Sequence, residues 1–153
     1  MRDLIERLEK ATDGSMDLSR QVARARGWIN VGNSKKGEWY RPEDTRDGKP
    51  VLDGLHGTDF FREPPDFTTS LDAALTLVPE GYAIEDMMIW PASPASVTVL
   101  ETKMGRDGRY WRGHTRFETV VGRWDATAKT APLALCVAAL RARLSEKEPA
   151  DGR

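Results

Sequence analysis

Thr68-Thr69-Ser70-Leu71-Asp72-Ala73-Ala74-Leu75-Thr76-Leu77-Val78-Pro79-Glu80-Gly81-Tyr82 holds a start, an apolar face and a stop for one short helix. Ser70 has the short oxygen-bearing side chain that caps a free backbone N–H at a helix start. Leu71, Ala74, Leu75 and Val78 follow at i, i+3, i+4 and i+7, which puts them on one face. Pro79 and Gly81 then end the helix, because proline cannot continue it and glycine tolerates the reversal. Immediately afterwards the pattern becomes that of a strand: Tyr82, Ile84, Met88 and Trp90 lie on one side of an extended run. Beyond Pro91 and Pro94, Val97 and Val99 alternate in a second strand.

Further along, Asp107-Gly108 is a credible hairpin turn. The run from Tyr110 to Trp124 supplies a third strand, with Phe117 and Val121 on one face and Val120 and Trp124 on the other. Thr130-Ala131-Pro132 reads as a helix start. Leu133, Cys136, Val137, Leu140 and Leu144 keep the 3.6-residue period, and Arg141, Arg143 and Lys147 suit the negative end of the helix dipole. In the other direction, Leu4, Ile5, Leu8 and Ala11 predict a first helix, with Asp3 in its first turn. Asp13-Gly14-Ser15 breaks it and caps a second helix carrying Leu18, Val22 and Ala25, which Gly27 stops. Between residues 28 and 67 the pattern dissolves into Gly, Pro, Asp and Lys, with short strands at Val31 and at Glu38-Trp39-Tyr40-Arg41.

The predicted order is α-α-(irregular)-α-β-β-β-α. That is an α+β fold with helices on both sides of a small antiparallel sheet, an α/β/α sandwich-like arrangement. Residues 1–147 form one domain with a long irregular insertion at about 28–67, and residues 148–153 form a mobile tail. An insertion of that length is a candidate specificity element, since long loops in compact domains tend to be functional.

A net charge of −1 with 31% charged residues excludes a bulk nucleic-acid binder. Locally, Lys103 to Trp124 carries six bases against Asp107 and Glu118, so an anionic ligand fits there. Cys136 is the only cysteine, which rules out an intrachain disulfide and a cysteine-built zinc site. The charged, amphipathic start from Met1 to Arg7 has no apolar signal segment, and no later stretch is long enough to cross a bilayer, so the expected location is cytoplasmic.

Catalytic residue types are scarce. His56 and His114 are the only histidines, and Cys136 sits on an apolar stripe where a thiol packs as a small hydrophobe. The carboxylates Asp44, Asp47, Asp53, Asp59, Glu63 and Asp66 lack the alternating spacing of a calcium loop and read as a solvated acidic segment. More suggestive are Trp39, Tyr40 and Arg41, then Arg109, Tyr110, Trp111 and Arg112 with His114 following, and Arg123 beside Trp124. Flat rings stack on bases and guanidinium forks pair with phosphate, although the same residue types also populate cores and subunit interfaces. Thr68, Thr69 and Ser70 add hydroxyls at a helix start, where exposed N–H groups form an anion pocket if the side chains are not spent on capping.

Three segments resemble the phage ABA sandwich domain family of small bacteriophage and prophage proteins: Asp3 to Thr12, Thr69 to Tyr82, and Lys129 to Arg143. The match covers the framework; residues 28–67 are longer and more polar than in a short member. The resemblance implies a phage origin, a helix–sheet–helix architecture and an infected bacterial cell as the setting, and it brings no catalytic residues. With the residue types above, it leads to the expectation of a non-enzymatic phage accessory protein, without cofactor or metal. Such a protein would bind and sequester a small anionic, nucleotide-derived signal of host defence, as a homo-oligomer whose subunits close the pocket. The alternatives are an interaction module that inhibits a host protein and a metal-dependent phosphodiesterase built on the acidic segment with His56.

Overall fold

A computed structural model describes residues 1–31, 37–51, 60–89, 93–103 and 119–147. Its elements run α1 (Arg2–Lys10), α2 (Met16–Ala25), β1 (Ile29–Val31), β2 (Glu38–Tyr40), a 3-10 turn (Pro42–Asp44), β3 (Thr45–Arg46), β4 (Lys49–Pro50), α3 (Leu71–Leu75), β5 (Tyr82–Met88), β6 (Ala95–Lys103), β7 (Thr119–Ala128) and α4 (Ala131–Lys147). The fold is α+β, with helices packed against a three-stranded antiparallel sheet of order β5-β6-β7.

The helix signals act as the sequence suggests. Ser15 caps α2 by accepting the Leu18 N–H at 3.2 Å, and Ser70 caps α3 by accepting the Ala73 N–H at 3.3 Å. Gly27, at φ +94°, closes α2 with two bonds: its own N–H reaches the Arg24 carbonyl and the Trp28 N–H reaches that of Ala23, each at 3.0 Å. This paired reversal is a Schellman cap, which needs a residue able to take a positive φ at that point.

In the last helix, Leu133 to Leu140 are all at most 1% exposed, so α4 is buried around its whole circumference and not along the single expected stripe. It packs against β6, β7, α1 and α3, and the alanines at 134, 138, 139 and 142 allow those neighbours to approach.

In the sheet, Val97 pairs with Ala126 and Met87, and Val99 with Trp124 and Ile84. These residues share a face, and Val97 and Val99, both fully buried, belong to the core built around α4. The opposite face is mostly polar: Thr98 pairs with Asp125 and Asp86, and Leu100 with Arg123.

Two expected faces change. A bulge between Ile84 and Asp86 shifts the β5 alternation by one, so Met87 packs on the core while Met88 is 43% exposed. The α-helical part of α3 stops at Leu75, and the Leu77 and Val78 N–H groups bond three residues back, to Ala74 and Leu75. That tighter winding turns Leu77 inward at 2% exposure and leaves Leu75 41% exposed, where Leu75 was expected to face in.

The segment expected to be irregular carries two small hairpins, β1 with β2 and β3 with β4. The second turns at Asp47 and Gly48, whose φ of 52° and 72° are the positive pair required by a type I′ turn. Asp107-Gly108, Tyr110, Phe117, Trp90 and the tail at 148–153 lie outside the described residues. Among the described residues no helix is long and apolar enough to cross a membrane.

Candidate functional site

The structure offers a cleft of about 400 Å³ where the end of α2, the 3-10 turn, residues 61–67, the end of α3 and the C-terminal half of α4 meet. Its apolar wall is Trp28, Phe61, Phe67, Leu77 and two prolines, Pro42 and Pro65. Trp28 stands edge-on to Phe61 at 5.5 Å between ring centres and to Phe67 at 6.4 Å, so three rings brace one another. Three arginines, Arg26, Arg41 and Arg143, join this wall, with Glu43 the one carboxylate in the lining among the described residues.

Each arginine arrives by a local device. The Schellman cap at Gly27 reverses the chain between Arg26 and Trp28, so the residues on either side of the reversal both line the cleft. Arg26 donates to the Thr76 carbonyl at 3.3 Å. Arg41 precedes Pro42, and its guanidinium carbon lies 4.7 Å from the Phe61 ring centre while an N–H side reaches Glu43 at 3.8 Å. Arg143 comes from the buried helix α4, and its Nε is shut off from solvent with no hydrogen-bond acceptor among the described residues.

The wall formed by residues 61–67 is tied down on both sides. Trp39 and Phe61 exchange backbone bonds at 2.8 and 2.9 Å. The Arg20 fork grips Glu63 in bidentate fashion, Nε to Oε2 at 2.9 Å and Nη2 to Oε1 at 2.6 Å. That bond holds the Glu63 carboxyl below its usual range and raises Arg20 above its own. Deeper, the Ser19 hydroxyl donates to Asp66 at 2.7 Å and accepts the Thr68 N–H at 3.1 Å.

The expected site residues divide. Arg41 lines the cleft. Trp39 is 2% exposed and belongs to the core, with Arg24 5.5 Å from its ring centre. Tyr40 is 6% exposed and donates to Glu38 at 2.8 Å, a bond that pushes its phenol upward in pKa.

Thr68 is fully buried: its Oγ1 accepts the Ser15 N–H and donates to the Ser15 carbonyl, both at 2.9 Å, so the hydroxyl serves the α2 cap. Ser70 caps α3, Thr69 is exposed, and α3 has only five residues, which leaves no developed dipole for an anion. Arg123 is engaged on the polar sheet face, 3.2 Å from Glu85 and 3.3 Å from Asp125. Arg109, Trp111, Arg112 and His114 lie outside the described residues, as do Asp53, His56 and Asp59.

Among the described residues no three His, Cys, Asp or Glu side chains gather as a metal-binding group. Cys136 is fully buried, donates to the Phe67 carbonyl at 3.2 Å, and has its pKa pushed up to about 12 by burial and then by Asp66.

Sequence reasoning missed Arg26, Trp28 and Arg143 as a group. The usable signal was Arg26-Gly27-Trp28, since a glycine helix stop flanked by an arginine and an aromatic brings both flanks to one reversal. No protein-family model matches the chain, and neither the curated proteins nor the solved structures include a significant match.

Proposed function

We propose that the cleft binds a small anionic, nucleotide-like ligand and holds it without turnover, as a phage accessory protein that removes a host-defence signal from circulation. One observation carries this reading: three arginines and the partly exposed rings of Trp28 and Phe61 share a single cleft of about 400 Å³. Guanidinium forks recognise phosphate oxygens, and aromatic rings take the flat face of a base. The volume lies within the range of roughly 300–1,000 Å³ occupied by small-molecule sites. The lining supplies charge and stacking surface, and Glu43, its one carboxylate among the described residues, is already paired with Arg41.

Isothermal titration of the full chain against nucleotides, followed by recovery of the ligand, tests the reading. The expected result is saturable binding weakened at least tenfold in Arg41→Ala, unchanged in Arg123→Ala, with the ligand recovered intact. Conversion of the ligand during incubation would count against holding without turnover.

An interaction module that inhibits a host protein is the second reading, supported by Phe60, 51% exposed beside Tyr40, and by Val31 at 43% exposure. A stoichiometric protein partner that is lost in Phe60→Ala and retained in Arg41→Ala would favour it.

A further inference from the structure

Resting on the nucleotide-binding reading, we infer that the cleft selects a guanine base and that Glu43 is the residue that reads it. An ionised carboxylate only accepts hydrogen bonds, and it does so through two oxygens side by side. Guanine carries two neighbouring N–H donors on one edge, at N1 and at the 2-amino group, and these match the two oxygens. Adenine and cytosine set a ring-nitrogen lone pair beside their amino group, and uracil flanks its single N–H with two carbonyls. Those three bases turn at least one acceptor toward a carboxylate, and two facing acceptors leave a hydrogen bond unmade.

Glu43 lines the cleft from the 3-10 turn Pro42–Asp44, directly after Arg41. Its Oε1 lies 3.8 Å from Arg41 Nη1, an ion pair too long to be a hydrogen bond, so this pairing leaves the acceptor capacity of the carboxylate to a ligand. The carbon of the same guanidinium lies 4.7 Å from the centre of the Phe61 ring, so Arg41 spans the gap between ring and carboxylate. A base laid on that platform turns its edge to Glu43. The turn is fixed before any ligand arrives. The Asp44 N–H reaches the Arg41 carbonyl at 3.1 Å, Thr45 Oγ1 donates to the Pro42 carbonyl at 2.9 Å, and the Val51 N–H donates to the Asp44 carbonyl at 2.9 Å. Because the Glu43 side chain is 66% exposed, water competes for its oxygens, and the expected preference for guanine is of moderate size, about fivefold to tenfold.

The test is titration of the full chain, at one ionic strength, with the 5′-monophosphates of guanosine, inosine, adenosine, cytidine and uridine and with the cyclic dinucleotides of guanine and of adenine. In whichever class binds, the guanine member should bind at least about fivefold more tightly than the adenine member. The class that binds also tells whether the base arrives on a mononucleotide or within a larger one. Inosine monophosphate keeps the N1 donor and lacks the 2-amino group, so it should bind more weakly than guanosine monophosphate. Glu43→Gln keeps the shape of the side chain and loses its charge and one acceptor. Loss of a carboxylate raises affinity for every phosphate alike, so the readout is the ratio of guanine to adenine affinity, which should fall to one or below. Glu43→Ala is the companion variant, with circular dichroism confirming that each is folded.

Equal binding of the guanine and adenine forms, or a guanine preference that survives in both variants, would overturn this inference and leave the nucleotide-binding reading standing. Inosine monophosphate binding as tightly as guanosine monophosphate would overturn the inference too, since the second donor would then contribute nothing. Absence of binding by every probe would overturn both.

Discussion

Gly122 shows how one missing methyl group positions a large ring. A Cβ built there would lie 2.1 Å from the Trp124 ring, which reclines over residue 122 on the same strand face and meets Tyr82 at 5.3 Å between centres. Gly122→Ala should therefore displace the indole and cost about 1–3 kcal/mol. Urea unfolding reads the loss, and tryptophan fluorescence reports the movement; an alanine variant with wild-type stability and emission would refute the packing argument.

Cys136 makes a second prediction at this scale. Its thiol ordinarily ionises near 9.0 and is pushed up to about 12 in the fold. The native chain should resist alkylation at pH 8 and react once unfolded. For stability the sign follows from proton binding: above pH 9 the unfolded thiol loses its proton while the folded one keeps it. Stability from this group therefore falls as pH rises, by up to about 1.4 kcal/mol per unit, and levels off near pH 12. Comparing wild type with Cys136→Ala between pH 8 and 11 isolates the effect. The sequence showed this cysteine as core because its neighbours at helical spacing are apolar. It did not show that Thr68 serves α2, because Ser15 lies 53 residues away from it.

At the scale of elements, residues 61–67 form a wall whose position depends on a clasp, the bidentate pair of Arg20 and Glu63. Both side chains are more than a third exposed, so the expected coupling is small and salt-sensitive. A double-mutant cycle with Arg20→Ala and Glu63→Ala measures it. Because the carboxyl is held below 4.5, the contribution is present above that value and disappears as pH falls through the lowered one. A cycle showing no coupling at low salt and neutral pH would remove the clasp from the argument.

Caps were the legible part of these elements: Ser15, Ser70 and Gly27 act through neighbours within a few residues. The faces of α3 and β5 were less legible. A single tightened turn after Leu75 and a single bulge after Ile84 each redirect the next side chains, and neither leaves a mark in the hydropathy pattern. Asp47-Gly48 carried a turn signal, but its flanks Thr45-Arg46 and Lys49-Pro50 lack the apolar alternation that identifies a hairpin. The cleft was the hardest feature to foresee, because Arg26, Arg41 and Arg143 are brought together by the fold from three separate elements.

For the whole molecule, α4 decides how stability is shared. Leu8 from α1, Leu77 near α3, and Val97 and Val99 from β6 all belong to one core cluster with Leu133 to Leu140. Removing atoms from that centre should be felt everywhere at once. Leu135→Ala is expected to cost about 2–5 kcal/mol, with far- and near-ultraviolet circular dichroism moving in a single coincident transition. Separate transitions for the helical and sheet signals would show that the cluster does not bind the molecule into one unit. The α+β class was readable because helical and alternating patterns occupy different stretches; the centrality of α4 was not, since alanines at 134, 138, 139 and 142 look neutral in sequence and become contact surface only when neighbours close on them.

That centrality also sets an order of events during synthesis. The chain makes α1, α3, β6 and β7 before it makes the helix against which all of them pack. With translation at roughly 5–20 residues per second, the apolar residues of β6 must wait several seconds for residues 131–147 to leave the ribosome. Over that interval the nascent polypeptide presents a half-built interior to the cell, and its yield there depends on being shielded until the final helix emerges.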